Sequence, residues 1–421
     1  MTRRFGLALL IACAAALGFL AGQLFDATAT ADDDRASLTY RQLGVFAEVL
    51  GHVETNYVDD IGPERLIEGA INGMMAQLDA HSTWMNPQQF ASMQQDTRGE
   101  YVGVGMEIGV REERVIVLTV FENGPAADAG LQPGDRIDRI DDEDARSFNV
   151  QEVVSRLRGL RGMPVEVAVR RGDEQLQFTV IRDVIHVEAI RTELPVPGYG
   201  YIRLRAFQSD VSSALRTAID DLEARNGRPL NGLILDLRNN PGGLLREGIN
   251  VSDVFLDSGR IVSTSGRTGN REQTWNASNR NTRYRGPLVV LVNGSTASAS
   301  EIVAGALQDR ERAAVIGVPT FGKGSVQSVI SLSNGSGMKL TVSRYYTPSG
   351  RSIHGAGITP NLLVSPSADQ ATALDELDAE DGDAAGDGAG QPIPHDRIPT
   401  YEGVTDVQIR AALWQLGAPT P

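Results

Sequence analysis

Two short apolar runs, Leu233-Ile234-Leu235 and Leu288-Val289-Val290-Leu291-Val292, constrain the fold of this 421-residue chain more than any other feature. A strand with one wet face alternates apolar and polar residues, whereas runs like these need cover on both faces. Each leads through a turn into a helical pattern, at 245–255 and 299–307, and a strand at 200–204 and a helix at 209–225 precede them. Alternation of this kind predicts an α/β core over 184–365 with a largely parallel sheet, its reactive groups gathered beyond the C-terminal ends of the strands.

The rest of the chain has different textures, so the expected fold class is multidomain α+β. Residues 36–95 carry apolar side chains at helical spacing, with Leu43, Phe46, Ala47, Leu50 and Val53 followed by Leu66, Ile67, Ala70, Met74 and Leu78. Residues 99–183 read as a small β-rich module, with strands at 115–120, 131–137 and 165–169 and one helix at 150–160. Residues 366–395 are acidic and rich in Ala and Gly, the composition of a disordered spacer, and 396–421 hold a short amphipathic segment expected to dock back on the body.

At the start, Arg3 and Arg4 precede an apolar run to Phe25, then Ala27-Thr28-Ala29-Thr30-Ala31. This is the pattern of an export signal over 1–31, and both a cleaved signal peptide and an uncleaved membrane anchor fit it. The expected location is a bacterial periplasm, with tethering to the inner membrane if the segment stays. Cys13 is the single cysteine, so the exported portion can form no disulfide, thiolate zinc site or cysteine nucleophile. The five histidines show no close ligand spacing, and no metal or other cofactor is expected. A net charge of −15 argues against nucleic acid as a partner.

Three segments carry chemistry. Asn293-Gly294-Ser295-Thr296-Ala297-Ser298-Ala299-Ser300-Glu301 is a tight turn opening a helix, where a serine Oγ is exposed and helix N–H groups face developing negative charge. Serine-rich turns also simply cap helices. In Phe321-Gly322-Lys323-Gly324 one lysine stands among glycines and apolar residues. Desolvation there would make it a usable base, and a hairpin surface lysine is the plainer alternative. Gln327, four residues on, would share its face and orient the amine. Asp236-Leu237-Arg238-Asn239-Asn240-Pro241-Gly242-Gly243 ends a buried strand with two glycines that let backbone approach a substrate.

Together these segments resemble the carboxyl-terminal processing peptidases, or tail-specific proteases, over about residues 36–365. The resemblance implies a serine endopeptidase with Ser298 as nucleophile, Lys323 as general base, Gln327 positioning the lysine, and the N–H groups of Gly243 and Ala299 as the oxyanion hole. Residues 99–183 look like a PDZ domain, in which Gly103, Val104, Gly105 and Met106 would bind a substrate's terminal carboxylate. Met106 and Ile108, with Val150, Val153 and Val154, would form its apolar pocket.

The implied partners are exported proteins with accessible C-terminal tails. Some relatives work with an adaptor lipoprotein, and members often form homo-oligomers through terminal helices. The competing reading is a non-catalytic, membrane-tethered PDZ scaffold.

Overall fold

Backbone groups of a strand apolar on both faces must be paired inside a sheet, and Leu288–Val292 has a parallel partner on either side. The structure, a computed structural model, describes residues 38–111, 114–267, 272–367 and 391–420. The apolar N-terminal segment and residues 368–390 of the acidic stretch lie outside the described residues.

Seven strands form one sheet in the order Ile190–Val196, Tyr199–Leu204, Gly232–Asp236, Leu288–Val292, Ala314–Gly317, Leu362–Leu363 and Gln391–Pro392. The first two are antiparallel and every later neighbour is parallel, as the two-faced apolar runs predict.

The period of two divides each run between two cores. Leu233, Leu235, Val290 and Val292 face one, covered by helices Val211–Asn226, Leu245–Asp253 and Ala299–Asp309. Ile234, Val289 and Leu291 face the other, where the C-terminal helix Val407–Gln415 packs Val407, Ala412 and Leu413.

The C-terminal segment is therefore part of the body. Gln391–Pro392 pairs with Leu362–Leu363, so ordered structure resumes before the expected end of the spacer at 395. A buried polar cluster pins it further: Arg238 lies on Asp236 and also donates to Asp406 Oδ2 (2.8 Å) and Gln408 Oε1 (2.7 Å). Asp236 is fully buried and accepts from Tyr201 as well (2.8 Å), so its charge is paired on two sides.

The chain divides at Trp84 into two compact units. The first contains a helix over 38–56 and the helix Pro63–Met75. The expected helical region of 36–95 is thus interrupted: helix Pro87–Arg98 belongs to the second unit. Its Phe90 is buried close against Gly337, where any side chain would collide with the ring.

Within the second unit the β-rich module has a six-stranded sheet that includes Met106–Arg111, Arg114–Val120, Pro164–Arg171 and Glu174–Ile181. Its helix, Val150–Leu157, starts at an Asn149/Glu152 capping box. It stops three residues short of the expected 160, because buried Arg182 donates to the carbonyls of Arg156 (2.7 Å) and Leu157 (3.0 Å) and satisfies the helix end there. A hairpin of Ser325–Ser331 and Gly337–Tyr346 completes the unit, its longer strand also pairing with Arg260–Gly266.

Candidate active site

Parallel neighbours Gly232–Asp236 and Leu288–Val292 end side by side and deliver their loops to one place. The loops are then locked together. Asn293 and Asn239 exchange two hydrogen bonds, Oδ1 accepting from Asn239 N (2.9 Å) and Nδ2 donating to Asn239 Oδ1 (2.6 Å). Asn240 is fully buried: its carbonyl accepts from Ala297 N (3.0 Å) and Ser300 Oγ (2.9 Å), and its Oδ1 accepts from Gly242 N (2.9 Å).

Ser298 is held at the tip of the second loop with φ 57° and ψ −114°, immediately before helix Ala299–Asp309. A non-glycine residue in that region is strained, and such strain persists only where surrounding contacts over-determine it. Gly242 packs against this turn. A Cβ placed on it would stand 2.8 Å from Ser298 Cβ and 2.9 Å from Ala299 N. The 242–243 backbone and the first helical N–H therefore flank the serine, the arrangement an oxyanion site needs.

Glu301 joins this loop to the one bearing Lys323. Its carboxylate is fully buried and accepts four hydrogen bonds. Oε2 takes Ser298 N (2.8 Å) and Lys323 N (2.9 Å), while Oε1 takes Gly322 N (2.7 Å) and Thr320 Oγ1 (2.6 Å). Burial pushes its carboxyl up, and the donated hydrogen bonds oppose that.

A cavity of about 370 Å³ brings Ser298, Lys323, Gln327, Gly242 and Gly243 together with Tyr345 and Lys339. Desolvation lowers Lys323 below the ordinary lysine range, the neighbouring Lys339 charge lowers it further, and Glu301 works against both. Tyr345 is buried, which pushes its phenol up to about 12, and its hydroxyl bonds to Ser298. Gln327 shares the cavity, yet its Nε2 donates to Ser325 Oγ (2.8 Å) and lies 3.4 Å from Thr341 Oγ1.

Glu301, Tyr345 and Lys339 were given no role by the sequence reading. A signal existed for Glu301, because a serine at the helix N-cap with Glu three residues later is a capping-box spacing. Tyr345 and Lys339 come from the next strand of the hairpin, with no local signature.

Glu301→Gln will lower kcat on a peptide substrate by about 10–100-fold with little change in KM. Either orientation of the amide turns two acceptor positions into donors facing donors, and a displacement near 1 Å at reacting groups costs about that much. Steady-state kinetics beside a thermal melt will separate this loss from unfolding.

A second cavity of about 330 Å³ lies in the β-rich module between strand Met106–Arg111 and helix Val150–Leu157. Gly103, Val104, Met106, Ile108, Val150 and Val154 line it. Gly105, at φ 78°, turns the chain between Val104 and Met106. Val153 does not line the cavity: it faces the module's core and is fully buried, turned about 100° around the helix from Val154.

Sequence profiles agree with both parts. Peptidase family S41 matches residues 198–364, a PDZ domain matches 116–171, and the N-terminal domain of the activating protease CtpB matches 15–89. The class is thus a serine peptidase carrying a PDZ domain. A carboxy-terminal-processing protease of Bartonella bacilliformis is 40% identical over 82% of this chain and 80% of its own. The carboxy-terminal processing protease CtpA of Bacillus subtilis is 32% identical over 81% of this chain and 71% of its own. Among solved structures, a photosystem II D1 C-terminal processing protease is 32% identical, covers 76% of this chain and 92% of its own, and has a TM-score of 0.45. The chain belongs to the carboxy-terminal-processing protease family.

Proposed function

We propose that this chain is a serine endopeptidase that cuts exported proteins recognised by their C-terminal tails, with Ser298 as nucleophile and Lys323 as general base. One observation carries this reading: a serine held in a strained turn shares a cavity with a partly buried lysine whose charged form burial disfavours.

Neutral Lys323 takes the Ser298 proton as Oγ attacks the scissile carbonyl carbon. The N–H groups of Gly243 and Ala299 stabilise the oxyanion, and Gln327 keeps the wall beside the lysine polar and ordered. Collapse breaks the C–N bond, and Lys323 returns its proton to the departing amine. Water then attacks the acyl ester with Lys323 again as base, releasing the acid and restoring Ser298. No cofactor enters these steps.

The substrate tail adds beside Met106–Arg111, its carboxylate at the backbone of 103–106 and its last side chain in the pocket. The work is assigned to the periplasmic side of an inner membrane, from the basic and apolar N-terminal sequence.

Cleavage of a loosely folded reporter with an apolar C-terminus, compared with an acidic tail, tests this reading. Preferred cutting of the apolar tail supports it, and binding without cutting by the intact chain means a scaffold instead. Val154→Glu will abolish the tail preference by placing a charge in the pocket. Val153→Ala will leave the preference intact and cost about 1–3 kcal/mol of module stability in a denaturant titration.

A further inference from the structure

Strand Gly337–Tyr346 pairs with Ser325–Ser331 so that Lys339 stands opposite Val329 and Thr341 opposite Gln327. Directly opposed residues of an antiparallel pair project from the same face. That face is the cavity wall, since Gln327, Val329 and Lys339 all line the space that holds Ser298 and Lys323. Lys339 is partly buried, and among the described residues its ammonium has no hydrogen-bond or ion-pair partner.

The other charged groups around Lys323 are accounted for. Glu301 lies behind it, its oxygens engaged by four donors. Asp96, on helix Pro87–Arg98, also lines the cavity and pairs with Arg158 at 3.5 Å. Tyr345 bonds to Ser298. His354, on the segment packed against Gly324, is exposed. No described carboxylate neutralises Lys339 inside the cavity, so one of the two amines there gains by giving up its proton.

We propose that Lys339 is a positioning residue for the reaction: its fixed positive charge across the cavity keeps the amine of Lys323 neutral and able to act as base. The proposal rests on Lys323 being the base. Lys339 reaches the cavity from the hairpin strand opposite Val329, and burial together with this neighbouring charge disfavours the proton on Lys323.

The test is the pH dependence of kcat/KM for a peptide substrate, using the full chain and its Lys339→Met, Lys339→Arg and Lys323→Ala variants. Activity rises with pH as Lys323 deprotonates. Without the neighbouring cation Lys323 holds its proton to higher pH, so the acidic limb of Lys339→Met will move upward by about one unit. Well below the limb this is about a tenfold loss of rate. Lys339→Arg will restore the original limb.

A rate or KM change in Lys339→Met without movement of the limb overturns the proposal and leaves Lys339 a structural or substrate contact. Full activity in Lys323→Ala overturns the underlying base assignment instead, which separates the two failures. Should Lys339→Met fold poorly, the pH dependence of Lys323 acetylation by acetic anhydride, in which the neutral amine displaces acetate, gives the same comparison without turnover in Lys339→Gln, read by mass spectrometry. An unchanged midpoint there refutes the proposal as well.

Discussion

Lys323→Ala will reduce kcat/KM for a peptide substrate by about 10⁴-fold or more, Ser298→Ala will do the same, and the double variant will be no worse than either alone. Residues that act as one unit lose the same step whichever is removed, so their effects do not multiply. Neither variant should lower the melting temperature by more than a few degrees. Lys323 has no internal ion pair among the described residues to forfeit, and Ser298→Ala removes only the hydroxyl from a turn held by backbone and Glu301 contacts. Lys323→Arg will be equally inactive, because a guanidinium stays protonated at any working pH. Multiplying losses in the double variant, or activity in Lys323→Arg, would sink the Ser–Lys assignment.

Gly243→Ala and Gly242→Ala are expected to have the next largest effects, falling on kcat by about 10²–10³-fold, the usual result of losing one oxyanion donor. At Gly243, φ is 141° and a Cβ would collide with the carbonyl oxygen of Phe207. That neighbour is fixed: Phe207 N donates to Gly242 O (2.9 Å) and Phe207 O accepts from Leu244 N (2.8 Å). At Gly242 the collision is with Ala297 O at 2.7 Å and with Ser298 Cβ at 2.8 Å. The backbone must move in either variant, and the donor aimed beside Ser298 moves with it. Single-turnover rates with KM held near its original value will identify this cause. A loss confined to KM would mean that the glycines serve substrate binding and leave the oxyanion donors elsewhere.

How much of this was legible beforehand differs from residue to residue. Ser298 sits in a small-residue turn that could equally have been a plain helix cap, and it stood out only through the joint resemblance of three segments to one family. Lys323 stood out because it is the one charge in a stretch of glycine and apolar residues. Val153 and Val154 were indistinguishable by composition. Adjacent helical positions point about 100° apart, and only the packing of helix Val150–Leu157 decides which of them meets the groove. Helix Pro87–Arg98 continued the apolar pattern before it, and the contact that assigns Phe90 to the second unit is with a residue nearly 250 positions away in sequence.

The amino-acid order by itself determined the two-faced strands, the parallel sheet they demand, the turns at their ends and the residues exposed there. Each follows from short-range physics: side-chain period, helix capping and the conformational freedom of glycine. Tertiary structure alone decided which groups surround those residues. Glu301 gathers donors from two loops, Lys339 arrives from a strand sixteen residues beyond Lys323, and Asp406 returns across the acidic stretch to hold Arg238. Desolvation and charge coupling depend on distances through space, and residues far apart in sequence acquire those distances only when the sheet is assembled.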